Sequence, residues 1–446
     1  MKACIIGAGL GGLATACLLA KKMDVDVYEK EGLLGGRALS CNASQYEEFI
    51  KKFEMKVIRK EDFDGLDGYT LDLGFHLLGG GKRGACVRLL KELGINIDFV
   101  GSRLGFIGEK IDYPILKAKD KLAMLPRILQ LLTTSKEEME KMKKISMEEM
   151  IRKYGKGKLK LVLELFPRLI TTVNDLSRIS AGETFLAQRE LLGGKPVVYP
   201  HNGIGKIAKE LANYLEKNGG KIFLGKKVDK IIIENGVAKG IKVGNEEIPY
   251  DLIISTLPIQ HIFTIANKEE FPDDWAEYVK NLKPTGSLVA YHALNDLDKK
   301  LLNKSFVFIE RNVDFEGNDV VGMIDFKMHW MTNLAPKGKY IVQSYVICSP
   351  EEAKSKRKME ELAEILDKNL EKLLPNKKIE WNVYASIWHL DGVAKTIDCI
   401  KPNVATPVQD LYIAGDCVAS KGVGMNCAID SSRLIMEEVK KQYRVE

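Results

Sequence analysis

The segment Gly7-Ala8-Gly9-Leu10-Gly11-Gly12 has residue types and spacing that can hold a pyrophosphate. It satisfies G-x-G-x-x-G through Gly7, Gly9 and Gly12. In such a turn the first glycine permits a tight exit from a strand. The second lets the backbone approach the phosphates, and the third lets the following helix pack closely on the sheet. Free N–H groups and the positive dipole end at the helix start face the anion. Glu29 lies about 20 residues further on, where a carboxylate accepts hydrogen bonds from an adenosine ribose. Its charge would repel a 2′-phosphate at that place. A glycine turn alone is weak evidence. Its place between the apolar run Lys2–Ile6, a helical run and a second strand pattern ending at Glu29 makes it specific for an adenine dinucleotide.

Two further groups bear on which dinucleotide. Gly35-Gly36-Arg37 follows Lys30 just past the acidic strand end, and its guanidinium can pair with a phosphate oxygen. At the far end of the chain Leu411 to Ala414 reads as a strand, Gly415-Asp416 as a turn, and Gly422-Val423-Gly424-Met425 as a helix start. That helix start can bring N–H groups to a ring edge that turns negative on reduction, and Asp416 can bond a ribityl chain. Each group alone reads as an ordinary loop; together they point to one extended cofactor.

The elements needed to position these residues are legible. Apolar runs buried on both faces suit a parallel sheet. Helical periodicity dominates at 83–93, 119–132, 136–154, 158–170 and 181–192. A helix over 201–217 stops at Asn218-Gly219-Gly220, and Asn235-Gly236 marks a hairpin. Strand patterns return at 287–294, 305–310, 320–326, 340–348 and 380–388, interrupted by a charged helix over 351–374. The expected fold is α/β: a Rossmann-like three-layer dinucleotide domain from residues 1–65, 196–265 and 395–446. A discontinuous α+β substrate domain would come from 66–195 and 266–394.

The chain has 446 residues, 67 basic and 61 acidic, for a net charge of +6. That mild excess, without basic blocks, makes nucleic acid an unlikely partner. Its eight cysteines form no C-x-x-C pair, so neither a zinc site nor a redox pair is expected. The expected location is the cytoplasm. The segment 122–132, with Lys117, Lys119, Lys121 and Arg127 nearby, is both basic and apolar. It is expected to pack its apolar face inward, with peripheral contact to the inner membrane face as the alternative.

These motifs, in this order, resemble the flavoprotein superfamily of phytoene desaturases, carotenoid isomerases, protoporphyrinogen oxidases and amine oxidases. The resemblance takes in Gly7 to Gly12, Glu29, Gly35 to Arg37, Asp72-Leu73-Gly74-Phe75-His76, Tyr199-Pro200, Gly203, Gly205, Ser255 to Pro258 and Gly415-Asp416 with Gly422 to Gly424. It implies FAD as cofactor, backbone bonds to adenine near Val228, and a place beside the flavin for His76. Asn333 to Lys339 looks like the L-A-P-x-G segment of phytoene-desaturase-like proteins. The tail Met425-Asn426-Cys427-Ala428 departs from the family's run of small residues. Asn295 and Asp296 stand where amine oxidases often place a lysine.

The resemblance implies hydride transfer to or from flavin on an apolar isoprenoid or polyene-type substrate. An amine or porphyrinogen oxidase, or a flavin-free binding protein like the GDP-dissociation inhibitors, are the alternatives. His76 is the catalytic candidate. Lys327, His329 and Trp330, and Trp388 with His389, are weaker cavity candidates, with core packing favoured for the tryptophans; His201 is expected to cap its helix.

Overall fold

The strands Lys2–Ile6 and Leu252–Ser255 are buried almost throughout, which their apolar sequences KACII and LIIS allow. In the computed structural model, which describes residues 1–191, 197–313, 315 and 319–443, they form the middle of a five-stranded parallel sheet. Its order is Lys221–Leu224, Asp24–Glu29, Lys2–Ile6, Leu252–Ser255, Leu411–Ile413. Helix Leu10–Leu19 packs between helices Gly205–Lys217 and Met425–Tyr443. An antiparallel meander of Lys230–Glu234, Val237–Val243 and Glu246–Pro249 lies against Leu252–Ser255. This is the expected three-layer arrangement.

The second sheet has eight strands, in the order 56–61, 379–387, 286–294, 340–348, 319–329, 305–311, 104–107, 111–112. Side chains alternate across it, as the period of two demands. Val289, Tyr291 and Ala293 join the cluster that holds Leu71, Leu73 and Tyr199. Leu288, Ala290 and Leu294 face the opposite way, onto Met359, Leu362 and Leu366 of helix Lys356–Leu373.

Several boundaries differ from the sequence reading. Lys56–Glu61, inside the segment 1–65, forms an edge of the eight-stranded sheet, so the chain crosses over earlier than residue 66. Val197–Pro200, inside 196–265, pairs with Leu78–Gly79 and Phe99–Ser102 of the segment 66–195. The helix read over 136–154 is two, Lys136–Met142 and Met147–Tyr154, because Ser146 Oγ accepts the Glu149 N–H at 3.2 Å and starts the helix anew. Ser355 likewise splits the charged helix into Pro350–Ala353 and Lys356–Leu373. The helix read over 181–192 runs Ala181–Leu191, and Leu192 lies outside the described residues.

The two domains are joined at Asp72, which is fully buried. Its carboxylate accepts hydrogen bonds from Ser40 Oγ at 2.6 Å, Tyr199 OH at 2.8 Å and Ile204 N–H at 3.3 Å. Its carbonyl accepts one from Tyr291 OH at 2.9 Å, on a central strand of the large sheet. Burial pushes the Asp72 pKa up to about 6, and the donors from Ser40, Tyr199 and Ile204 pull it down only part of the way. Between about pH 4 and 6 the folded chain therefore keeps a proton that the unfolded chain releases. Stability conferred by this group falls as pH rises through that window and is level above it. Asp72→Asn should remove the slope. The unfolding free energy of the variant, relative to the parent, should improve by about 2 kcal/mol between pH 4 and 6.5 in urea titrations. A pH-independent difference would contradict this origin.

Candidate functional site

Each glycine of the first turn meets a different constraint. Gly7 has φ +106°, and a Cβ there would lie 2.2 Å from Thr256 Oγ1. At Gly12 a Cβ would lie 2.2 Å from the Gly7 carbonyl, so a side chain would lever the helix off the sheet. Gly9 is the opposite case, with no atom within 4 Å of where its Cβ would be. Helix Leu10–Leu19 starts at Gly9 without a side-chain cap, leaving its first N–H groups to face that open space. Gly35 N–H donates to the Ala8 carbonyl at 2.9 Å, and a Cβ on Gly36 would come 3.5 Å from Gly9 Cα. The second glycine loop thus lies directly across the first. Gly11, which the motif leaves unspecified, faces Ala428 and Gly415, where a Cβ would meet backbone atoms at 3.2 and 3.3 Å. It lets the first and last helices of the dinucleotide domain touch.

Glu29 ends its strand, buried, with Oε2 accepting from Ala8 N–H at 2.8 Å and Oε1 from Glu31 N–H at 2.9 Å. Each oxygen keeps a lone pair for a further donor. Lys30 points outward, its side chain 66% exposed. The Gly225 and Lys226 N–H groups donate to the carbonyls of Glu31 and Glu29, which brings the segment leading to buried Val228 against this end of the sheet.

Arg37 is not left pointing at open space. Its Nη2 pairs with Asp416 Oδ1 at 2.6 Å, and its Nη1 donates to the carbonyls of Leu390 at 2.9 Å and His389 at 3.2 Å. Asp416 Oδ2 accepts the Gly392 N–H at 3.0 Å, and Lys401 Nζ donates to the Asp416 carbonyl. Asp416, read from sequence as a ribityl partner, and Arg37, read as a phosphate partner, therefore first bind each other. Burial pushes the Asp416 carboxyl up, but the Arg37 charge and hydrogen bond, with Lys401, overcome it and hold the pKa below the usual value. Gly415 (φ +142°) and Gly424 (φ +49°) occupy conformations that other residues rarely adopt, and Met425 opens the last helix.

The sequence reading missed a buried group beside this pair. Asp391 Oδ2 lies 3.0 Å from Thr172 Oγ1, and Asp391 N–H donates to Thr285 Oγ1 at 3.0 Å. Burial, then the nearby Asp416 charge, raise the Asp391 pKa, favouring its protonated form. Thr172 ends helix Gly157–Thr171 with φ +53°, a costly conformation for a β-branched residue. Its sequence context carries no sign of this role.

His76 is largely covered, its side chain 11% exposed, and among the described residues its buried Nδ1 has no hydrogen-bond partner, with Asp72 Oδ2 3.8 Å away. Burial lowers its pKa to about 4, partly opposed by the Gly74 backbone, and the Arg37 charge lowers it further. It is neutral at pH 7. The same two influences, burial and Arg37, bring His389 to about 4. The other candidates do not join them. Lys327, on strand Asp319–His329, is locked to Asp325 at 2.6 Å, and His329 Nε2 lies 2.7 Å from Asn303 Oδ1. Trp330 opens a single tight turn, and Trp388 packs against the cluster under helix Lys356–Leu373. His201 does not cap a helix, because Gly205–Lys217 starts at Ile204; its N–H donates to the Asp98 carbonyl instead.

A family model described as flavin-containing amine oxidoreductase matches residues 10–439. A stretch of 69 residues is 33% identical to a 4,4′-diapophytoene desaturase (4,4′-diapolycopene-forming) of Methylomonas sp., covering 15% of this chain and 14% of that protein. Another of 126 residues is 28% identical to the chloroplastic prolycopene isomerase of Daucus carota, covering 28% and 20%. The chain spans less than two thirds of the length of the curated relatives it matches. The solved structure of an oxidoreductase from Methanosarcina mazei, 21% identical, superposes with a TM-score of 0.77 over 98% of this chain and 100% of that one, a likeness of fold. With a family match over nearly its whole length, the chain belongs to the flavin-containing amine oxidoreductases and is an FAD-dependent oxidoreductase.

Proposed function

We propose that the chain transfers hydride between FAD and an apolar, isoprenoid or polyene-type substrate. The observation that carries this reading is the apolar packing around Arg37 and His76. Phe75 stacks on Tyr345 at 4.2 Å, and Leu73, Ile387 and Leu390 belong to the same apolar cluster. The histidines there are neutral, so they offer no charge to a polar substrate. The short stretches of likeness to two carotenoid enzymes support the same class. The family model's own description supports a second reading, oxidation of an amine.

In this reading the residues of the first turn, Gly7, Ala8, Gly9, Leu10, Gly11 and Gly12, hold the pyrophosphate with N–H groups and the helix dipole. Glu29, with Lys30 beside it, meets the adenosine ribose, and the backbone at Val228 meets the adenine. Gly35, Gly36 and Arg37 close over the dinucleotide. Gly415, Asp416, Gly424 and Met425 hold the flavin end. The open space at Gly9, the lone pairs left on Glu29 and the unclaimed Nδ1 of His76 fit such a group. FAD, when bound, supplies hydride acceptance and donation. The protein's part is to orient the substrate and exclude water, which needs no strong base. His76, as a neutral group, orients the reacting carbon or the ring face.

Two glycines separate cofactor binding from folding. Gly9→Val, at an ordinary φ of −72° with space around it, should cost no more than about 1 kcal/mol of apoprotein stability, while the purified protein loses its flavin absorbance. Gly12→Val should cost about 2 kcal/mol or more through the clash with Gly7. A Gly9→Val protein as yellow as the parent would remove the first turn from the cofactor site.

The substrate class is tested by anaerobic mixing. A polyene lipid fraction should change the flavin absorbance and primary amines should not, and His76→Ala should slow that change about tenfold or more with FAD still bound. Bleaching by amines with peroxide release in air would favour the second reading, and an unchanged rate in His76→Ala would remove His76 from the reaction.

A further inference from the structure

Helix Ala118–Thr133 turns its apolar side outward, contrary to the inward packing expected from sequence. Leu122 is 71% exposed, Leu125 43%, Leu129 52% and Leu132 51%. Among the described residues, ten large hydrophobics are exposed, and four of them lie on this one helix. At 100° per residue the four leucines fall within an arc of about 80°. They form a single stripe rather than scattered surface residues. Only Met124 of this helix is buried, away from the stripe. The orientation is fixed: Arg189, on helix Ala181–Leu191, donates from Nε to the Leu131 carbonyl at 2.8 Å and from Nη2 to the Thr134 carbonyl.

The borders of the stripe are basic. Lys119 and Lys121 are exposed and fall at its two edges by the same periodicity, and Lys117 precedes the helix with its side chain 58% exposed. The helix's one acidic residue, Asp120, lies on the far side and accepts the Lys117 N–H at 2.9 Å. We propose that this face is a docking surface for an anionic lipid bilayer, with the leucines entering the acyl boundary and the lysines meeting headgroup phosphates. The charge pattern is complementary to such a surface. A second copy of the chain fits less well. A stripe about 15 Å long is narrow against the roughly 800 Å² that each partner buries in a stable pair. Pairing the stripe with itself in parallel would also bring lysines against lysines. No helix among the described residues is long and apolar enough to cross a membrane, so the contact is made in the interfacial plane. This inference stands whichever substrate the flavin site takes.

Flotation of the flavin-loaded protein with phosphatidylcholine vesicles, with and without phosphatidylglycerol, tests it. The protein should float with the anionic vesicles and far less with neutral ones. Leu122→Asp combined with Leu129→Asp should lower the bound fraction at least about tenfold, and Lys119→Glu with Lys121→Glu should remove the preference for anionic lipid. Because these side chains are exposed, unchanged flavin absorbance and thermal midpoint should accompany both variants. Absence of flotation, or flotation that survives both variants, would overturn the proposal. So would light scattering that shows a dimer converted to monomer by the leucine variants, which would assign the stripe to a second copy.

Discussion

The ion pair between Arg37 and Asp416 is where the two ends of the chain, 379 residues apart, are made into one site. Neither charge is fully solvated: the side chains are 30% and 9% exposed. A buried carboxylate must be paired or lose its charge. Asp416 is paired on one oxygen by the guanidinium and on the other by the Gly392 N–H. Arg37 uses its remaining reach on the carbonyls of His389 and Leu390. The pair therefore gathers the second glycine loop, the last strand of the parallel sheet and the loop leaving the eight-stranded sheet. Such a pair adds little net stability over an apolar substitute, but breaking it leaves an uncompensated charge at about 3–5 kcal/mol. Its value lies in fixing positions.

Charge is distributed around it with economy. Arg37 keeps Asp416 ionised, and Asp416 in turn disfavours ionisation of Asp391, which Thr172 and Thr285 bond instead. Burial keeps His76 and His389 neutral, and the Arg37 charge adds to it. Arg37 thus bears on the protonation of Asp416, His76 and His389, and beyond them lie the apolar side chains of Phe75, Tyr345, Leu73 and Leu390. A site with its charges satisfied internally and packed among apolar side chains is the physical reason for proposing an apolar substrate there.

What sequence could reveal follows the range of the interactions. Glycines that touch the backbone of their own turn, such as Gly7 and Gly12, are legible because the constraint is local. Glu29 is legible because its distance from the turn is set by one strand–helix–strand unit. Arg37 was visible as a candidate but not its partner, since pairing across hundreds of residues leaves no local trace. Asp391 and Thr172 were invisible for the same reason: a turn aspartate and a helix-end threonine are common until the fold brings them together. The Ser146 and Ser355 helix starts were readable in principle from side-chain caps but were overridden by continuous periodicity. The helix 118–133 was placed well, yet its facing was reversed, because periodicity locates an apolar stripe and says nothing of which side a neighbour covers.

Arg37 and Asp416 are proposed to act as a unit in holding FAD. A double-mutant cycle with Arg37→Ala, Asp416→Asn and both, read as the FAD dissociation constant from flavin fluorescence, measures that directly. Each single variant should weaken FAD binding by about tenfold or more, and the double variant should be no weaker than the weaker single, a coupling of about 1 kcal/mol or more. Losses that simply add would show the two side chains meeting the cofactor independently, and single variants that hold FAD as the parent does would contradict the claim.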